Sequence, residues 1–162
     1  MEEVKAEMAP GKSKRTRKAD RSRGKNAKLR PIGVIRSTIM SRSEAPKQGH
    51  EGAPDAWLEV HPFAADALDG MAEGDEIVVL TWLHQAHRET LKVHPRSDPQ
   101  RRLTGVFLTR SPDRPNPIGL HPVTVRKIEK SRLRIGPIEV IDGTPVVDIK
   151  PALRCAPFRS RE

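Results

Sequence analysis

The chain has 162 residues, room for one domain and little besides, and its net charge of +9 is unevenly spread. Residues 1–30 hold 11 Lys+Arg against 4 Asp+Glu, whereas the other 132 hold 19 against 17, so the basic character belongs mostly to the first thirty. No apolar run approaches the roughly 18 to 20 residues of a membrane span, and MEEVKAEMAP has neither the layout of a secretory signal nor that of a transit peptide.

A single cysteine, Cys155, excludes an internal disulfide and any metal cage built on cysteine, and it fits a reducing cytoplasm. Five aromatics (Trp57, Trp82, Phe63, Phe107 and Phe158) and no tyrosine argue against a base-stacking platform of the kind used by common single-strand RNA binders.

Residues 1–28 are read as a disordered basic tail, either solubilising or a phosphate-seeking arm, because clustered Lys and Arg displace counterions from nucleic acid. A globular unit is expected over 29–155, followed by a short tail over 156–162. Pro31 to Ser37 alternates and is β-branched, which predicts a strand. The stretch SRSEAPKQGHEGAP (41–54) is a polar loop rich in turn residues. Trp57–Val60 is a short strand, and FAADALDGM (63–71) is the one helix candidate, with Phe63, Ala67 and Leu68 on one face.

Asp75–His84 is continuously apolar over Ile77–Leu83, as a central strand should be. Residues 85–103 read as a long polar loop, a class that is usually functional or disordered. Further strands are expected at Thr104–Thr109, Leu120–Ile128, Arg132–Ile135, Ile138–Ile141 and Val146–Ile149. Short strands separated by Pro and Gly, with one small helix, indicate an all-β barrel or sandwich in a single domain.

The densest motif is GVFLTRSPDRPNPIGL (105–120). Pro112, Pro115 and Pro117 fix φ and stiffen the loop. Arg110 and Arg114 offer planar forks for carboxylate or phosphate, and Asn116 both donates and accepts. At the end of the central strand His84, Gln85 and His87, with His94 farther on, could suggest a metal site, but they lack a helical frame and a carboxylate at metal-ligand spacing, and His84 and Gln85 read better as hydrogen-bonding groups. Asp148 and Lys150 point the same way on a strand and read as an ion pair or as site groups, the ion pair being the simpler reading. No two glycines are separated by one residue, so a G-x-G-x-x-G dinucleotide loop is absent, as are a Walker loop and G-x-S-x-G.

The 105–120 motif, with DGTPVVDIKP (142–151), Pro31 to Ile35 with Ser37, Pro46 to Gln48, and His84-Gln85, closely resembles the TsaA-like family of tRNA methyltransferases over about residues 31–155. The resemblance implies a small β-barrel that binds S-adenosylmethionine without a Rossmann sheet or a metal and usually works as a homodimer, which agrees with the about seven strands counted from the pattern. It further implies methylation of N6 of threonylcarbamoyladenosine at position 37 of a threonine tRNA. Carried over position by position, the donor-contacting residues are Pro46, Lys47, Gln48, His84, Gln85, Arg110, Leu120, Asp142, Gly143, Thr144 and Pro145. Arg114 and Asn116 hold the loop or approach the substrate. No catalytic residue is assigned, though His84 or Asp148 could accept the proton of the methylated nitrogen.

Three departures stand beside the resemblance: Lys47 where the family usually has Arg, Leu108 where a small residue is common, and an 85–103 loop and helix entry that are shortened and unusually polar for the family. Many members carry an added C-terminal domain, whereas this chain stops soon after Pro151, which makes the basic tail a candidate substitute RNA surface. From a different class, the alternatives are a module that binds S-adenosylmethionine or RNA without turnover; within the enzyme class, a different acceptor.

Overall fold

A computed structural model describes residues 28–153. The tails, including Cys155 and the basic segment up to residue 27, lie outside the described residues. Eight strands follow in order: β1 (Gly33–Arg36), β2 (Ala56–Val60), β3 (Glu76–Trp82), β4 (Lys92–Val93), β5 (Thr104–Gly105), β6 (Ile118–Glu129), β7 (Arg132–Gly136) and β8 (Pro145–Pro151). Six of them close into an antiparallel barrel in the order β1-β2-β7-β6-β3-β8, while β4 and β5 form a separate two-stranded hairpin. Among the described residues no helix is long and apolar enough to cross a membrane.

Alternation along each strand decides what fills the barrel. Ile35, Leu58, Ile77, Val79, Val123, Val125, Leu133, Ile135 and Val146 point inward and are buried. A small barrel has an interior just wide enough for its own side chains, so these residues are the core itself and leave no lumen. Closure rests on the short β1–β8 contact, where Gly33 faces Val146, and two flanking bonds reinforce it: Ile32 N to Val146 O at 2.8 Å and Ile35 N to Thr144 O at 2.9 Å.

Several elements differ locally from the expectation. The helix runs over Pro62–Leu68 as a 3-10 segment without buried residues. Seven residues are too few to offset the cost of α-helix nucleation, and the segment is held instead by packing of Ala64 and Leu68 against the barrel. The strand expected over Thr104–Thr109 stops at Gly105 and turns into a 3-10 segment over Val106–Leu108. Ile138–Ile141 is not a strand: Pro137 brings no N–H donor to a ladder, and this apolar stretch buries Ile138 and Val140 as a plug. Part of the long 85–103 loop is ordered by β4 pairing with β5.

Candidate functional site

The antiparallel order places three long connections at one end of the barrel: 37–55 between β1 and β2, 83–117 between β3 and β6, and 137–144 between β7 and β8. At the opposite end the connections are 61–75 and the tight turn at 130–131, beside the segments that enter β1 and leave β8. Of the residues singled out above, Pro46–Gln48, His84, Gln85, Arg110, Arg114, Asn116 and Asp142–Thr144 therefore share the loop end. Pro145 opens β8 at that end. Leu120 lies two residues inside β6, 54% exposed on the outer wall and in register with Leu80 of β3.

Two of the three connections are clamped together by a pair that no sequence motif singles out. Arg42 donates two 2.9 Å bonds from Nη2 to Asp113 Oδ1 and Oδ2, and its Nη1 reaches the Gln85 carbonyl at 3.2 Å. Asp113 Oδ1 also accepts the His87 N–H at 2.9 Å. The 41–54 loop, the segment after β3 and the Pro-rich loop thus meet at one carboxylate. Burial raises the affinity of Asp113 for a proton, but the hydrogen bonds from Arg42 and His87 and the Arg42 charge outweigh it and hold the carboxyl below its usual range.

Arg114 is engaged by the turn before it. Its guanidinium donates to the carbonyls of Ser111 at 2.8 Å, Val106 at 3.1 Å and Thr109 at 2.5 Å. The start of the motif is thereby pinned to its middle, and Leu83 N to Pro117 O at 2.8 Å ties its far end to the end of β3. Asn116 is exposed, and its carbonyl accepts the Ile118 N–H at 2.8 Å. His84 and Gln85 are exposed beside an open groove of about 450 Å³ lined by His84, Ala86, His87, Arg88 and Glu89.

Around Pro46–Gln48 the contacts run toward the β4–β5 hairpin. Lys47 Nζ donates to the Arg96 carbonyl, and Arg96 itself pairs with Glu51 at 2.9 Å. Gln48 Nε2 bonds the carbonyl of Lys47 at 2.6 Å. The 142–145 turn has different partners: Asp142 Oδ1 accepts the Ser37 N–H at 3.0 Å, and Thr144 Oγ1 donates to the Ile141 carbonyl at 2.7 Å. Gly143 supplies the left-handed φ of 75° that this turn requires. Among the described residues no hydrogen bond joins 142–145 to Pro46–Gln48 or to Arg110, although these groups face the same end.

Inside the barrel a polar chain leads to that end. Thr81, on β3, pairs through Oγ1 with His121 Nε2 at 2.9 Å, and His121 Nδ1 pairs with Glu139 Oε1 at 3.0 Å. His121 is 5% exposed and Glu139 18%. Because a carboxylate only accepts, Nδ1 carries the proton in this pair. Gly119 makes room: a Cβ there would sit 2.5 Å from Thr81 Oγ1 and closer still to the His121 ring. Burial favours the neutral form of Glu139, but the hydrogen bond and charge of His121, helped by His50, prevail and hold the carboxyl below its ordinary value of about 4.5. A signal for His121 existed in the sequence, since period two places it on the inward face with Val123 and Val125.

Asp148 and Lys150 do pair, Oδ2 to Nζ at 2.8 Å. Among the described residues no group of three His, Cys, Asp or Glu side chains stands ready to hold a metal ion.

Known proteins share both the sequence and the barrel. Residues 34–156 match the model of the tRNA-methyltransferase O N-terminal domain. A protein of Methanothermobacter thermautotrophicus called a probable S-adenosyl-L-methionine-binding protein is 43% identical over 124 residues, 76% of this chain and 88% of its own. An S-adenosyl-L-methionine-binding protein of Archaeoglobus fulgidus is 39% identical over 122 residues, 75% of this chain and 86% of its own. The crystal structure of TrmO from Pseudomonas aeruginosa superposes with a TM-score of 0.65 at 33% identity over 85% of this chain, and a second TrmO structure gives 0.66 at 33%. The match covers 60% and 64% of those two chains, so this chain spans less than two thirds of the length of the solved proteins it resembles. By its sequence and by its barrel, the chain belongs to the family of tRNA-methyltransferase O N-terminal domains.

Proposed function

We propose that the protein transfers a methyl group from S-adenosylmethionine to tRNA, at N6 of threonylcarbamoyladenosine in position 37 beside the anticodon of a threonine tRNA. The observation that carries this reading is the gathering, at one barrel end, of the loops that the family match spans. The proposal extends to a homodimer acting in the cytoplasm.

The side chains at that end suit the donor chemically. Arg42, Arg96 and Arg101 are each paired with a carboxylate, whereas Arg110, on the same loops, has no such partner among the described residues. Its guanidinium is free to meet a carboxylate such as that of the donor's methionine moiety, and the Lys47 ammonium, one N–H of which is given to the Arg96 carbonyl, has two more to offer. Asp142 and Gln85 supply acceptors for the donor's ammonium, and the outward Leu120 supplies apolar surface. Pro46, Gln48, His84, Gly143, Thr144 and Pro145 complete the proposed set.

S-adenosylmethionine supplies a methyl group on a positive sulfur, so a carbon–nitrogen bond forms as the carbon–sulfur bond breaks. The chain has to hold the accepting nitrogen in line, and the clamp of Arg42 on Asp113 and the bonds of Arg114 give it stiff loops for that purpose. The nitrogen also releases one proton. His84 lies exposed at this end, whereas Asp148 is engaged by Lys150 on the outer wall.

A nucleoside mass spectrum of bulk tRNA, incubated with protein and S-adenosylmethionine, tests the reading. The expected result is threonylcarbamoyladenosine heavier by one methyl group. Donor binding without any altered nucleoside would favour the second reading, a binding module, which the names of the archaeal relatives support.

A further inference from the structure

The family match leaves open which surface meets the RNA. Phe107 and Leu108 lie on the 3-10 turn between β5 and the Pro-rich loop and are 80% and 85% exposed, while Val106 beside them is fully buried. The turn is built to present them. Val106 anchors it, and its N–H bonds the carbonyl of Leu91, the residue before β4, at 3.0 Å. Arg114 holds two of its carbonyls, and Thr109 Oγ1 donates to Val106 O at 3.0 Å. Displaying a large aromatic ring on a rigid turn exposes apolar surface to water at a cost in free energy, which docking of a partner would remove.

The charge around the turn identifies the partner's chemistry. Residues 85–114 hold seven Lys and Arg against three Asp and Glu, so this one connection is clearly basic. Arg96 and Arg101 are paired with acids and Arg114 with carbonyls, but Lys92 and Arg102 have no carboxylate partner among the described residues. Lys92 faces Gly105 across the hairpin, two residues from Phe107, and Arg102 lies two residues before β5. An exposed aromatic ring among uncompensated cations suits an unpaired nucleobase between phosphates.

We propose that the β4–β5 hairpin and its turn form the RNA-contact face, with Phe107 stacking on an unpaired base and Lys92 and Arg102 meeting backbone phosphates. The proposal rests on the tRNA reading and deepens it. It departs from the expectation drawn from the scarcity of aromatics, because one exposed ring at the site is enough for one base.

The test uses the full chain and three variants, Phe107→Ala, Phe107→Trp and the double change Lys92→Gln with Arg102→Gln. An anticodon stem-loop RNA is titrated at several salt concentrations, with S-adenosylmethionine titrated in parallel. Phe107→Ala should weaken the RNA about tenfold with the salt slope unchanged, and Phe107→Trp should restore it. The double variant should lower the slope of log K against log salt by about 0.7 for each phosphate no longer neutralised. Donor affinity should stay the same throughout. Wild-type binding of RNA with no loss in Phe107→Ala overturns this proposal and spares the tRNA reading, and absence of RNA binding by the wild type overturns both. If Phe107→Ala turns a dimer into a monomer at sedimentation equilibrium and Phe107→Trp leaves RNA affinity reduced, the face is a self-association surface and the proposal fails.

Discussion

Replacing His121 by Ala would remove the middle of the buried Thr81–His121–Glu139 chain, and the structure sets the size of the effect. The Thr81 hydroxyl is fully buried and would lose its partner, as would one oxygen of the largely buried Glu139 carboxylate. A buried polar group left unpaired costs about 1–3 kcal/mol. The vacated ring space adds a cavity term, so the total comes to about 3 kcal/mol. For a domain of this length each kcal/mol corresponds to about 4 °C in Tm, so the variant should melt about 12 °C lower. Urea unfolding followed by circular dichroism measures the same loss.

Glu139→Gln gives the same chain a pH signature. The folded state holds the Glu139 carboxyl below its ordinary value, so the unfolded chain binds the proton first as pH falls. The stability contributed by the ionised group is present above about pH 4.5 and is lost as pH falls through the folded value. The stability gap between wild type and Glu139→Gln should therefore be widest near neutrality and shrink in acid. A His121→Ala protein that unfolds within about 1 kcal/mol of wild type, or a gap that stays constant into acid, refutes the reasoning.

Two further changes probe the loop end. Asp113→Ala removes the acceptor that joins Arg42 to His87; because the pair is partly exposed, melting should drop by only a few degrees, about 1 kcal/mol, while donor affinity measured by calorimetry falls several-fold as the loops lose their preorganised positions. Unchanged donor affinity would mean that the clamp serves stability alone. Arg110→Ala should leave the unfolding free energy within about 0.5 kcal/mol of wild type, since the side chain is exposed and without a carboxylate partner among the described residues, yet abolish donor binding. Retained binding in that variant would remove Arg110 from the proposed site.

Local patterning in the sequence was sufficient for the β class and for most strands. Alternation in Pro31–Ser37 and Arg132–Ile135 and the apolar run Ile77–Leu83 each became a barrel strand, because period two selects which side chains leave water. The same patterning misread Ile138–Ile141, whose residues are buried like a strand's but have no ladder to join. Burial and hydrogen-bond pairing are separate requirements, and an apolar pattern reports only the first. The loop-end residues were legible through motifs such as the 105–120 run, which carries its stiffness in its prolines. What no stretch of sequence contained was their convergence. Asp113 meets Arg42 across 71 positions, and His121 meets Thr81 across 40 and Glu139 across 18. Such pairs come into range only when β3, β6 and β7 adopt one register in a closed barrel, so closure of the barrel, not local propensity, decided which polar groups share a site.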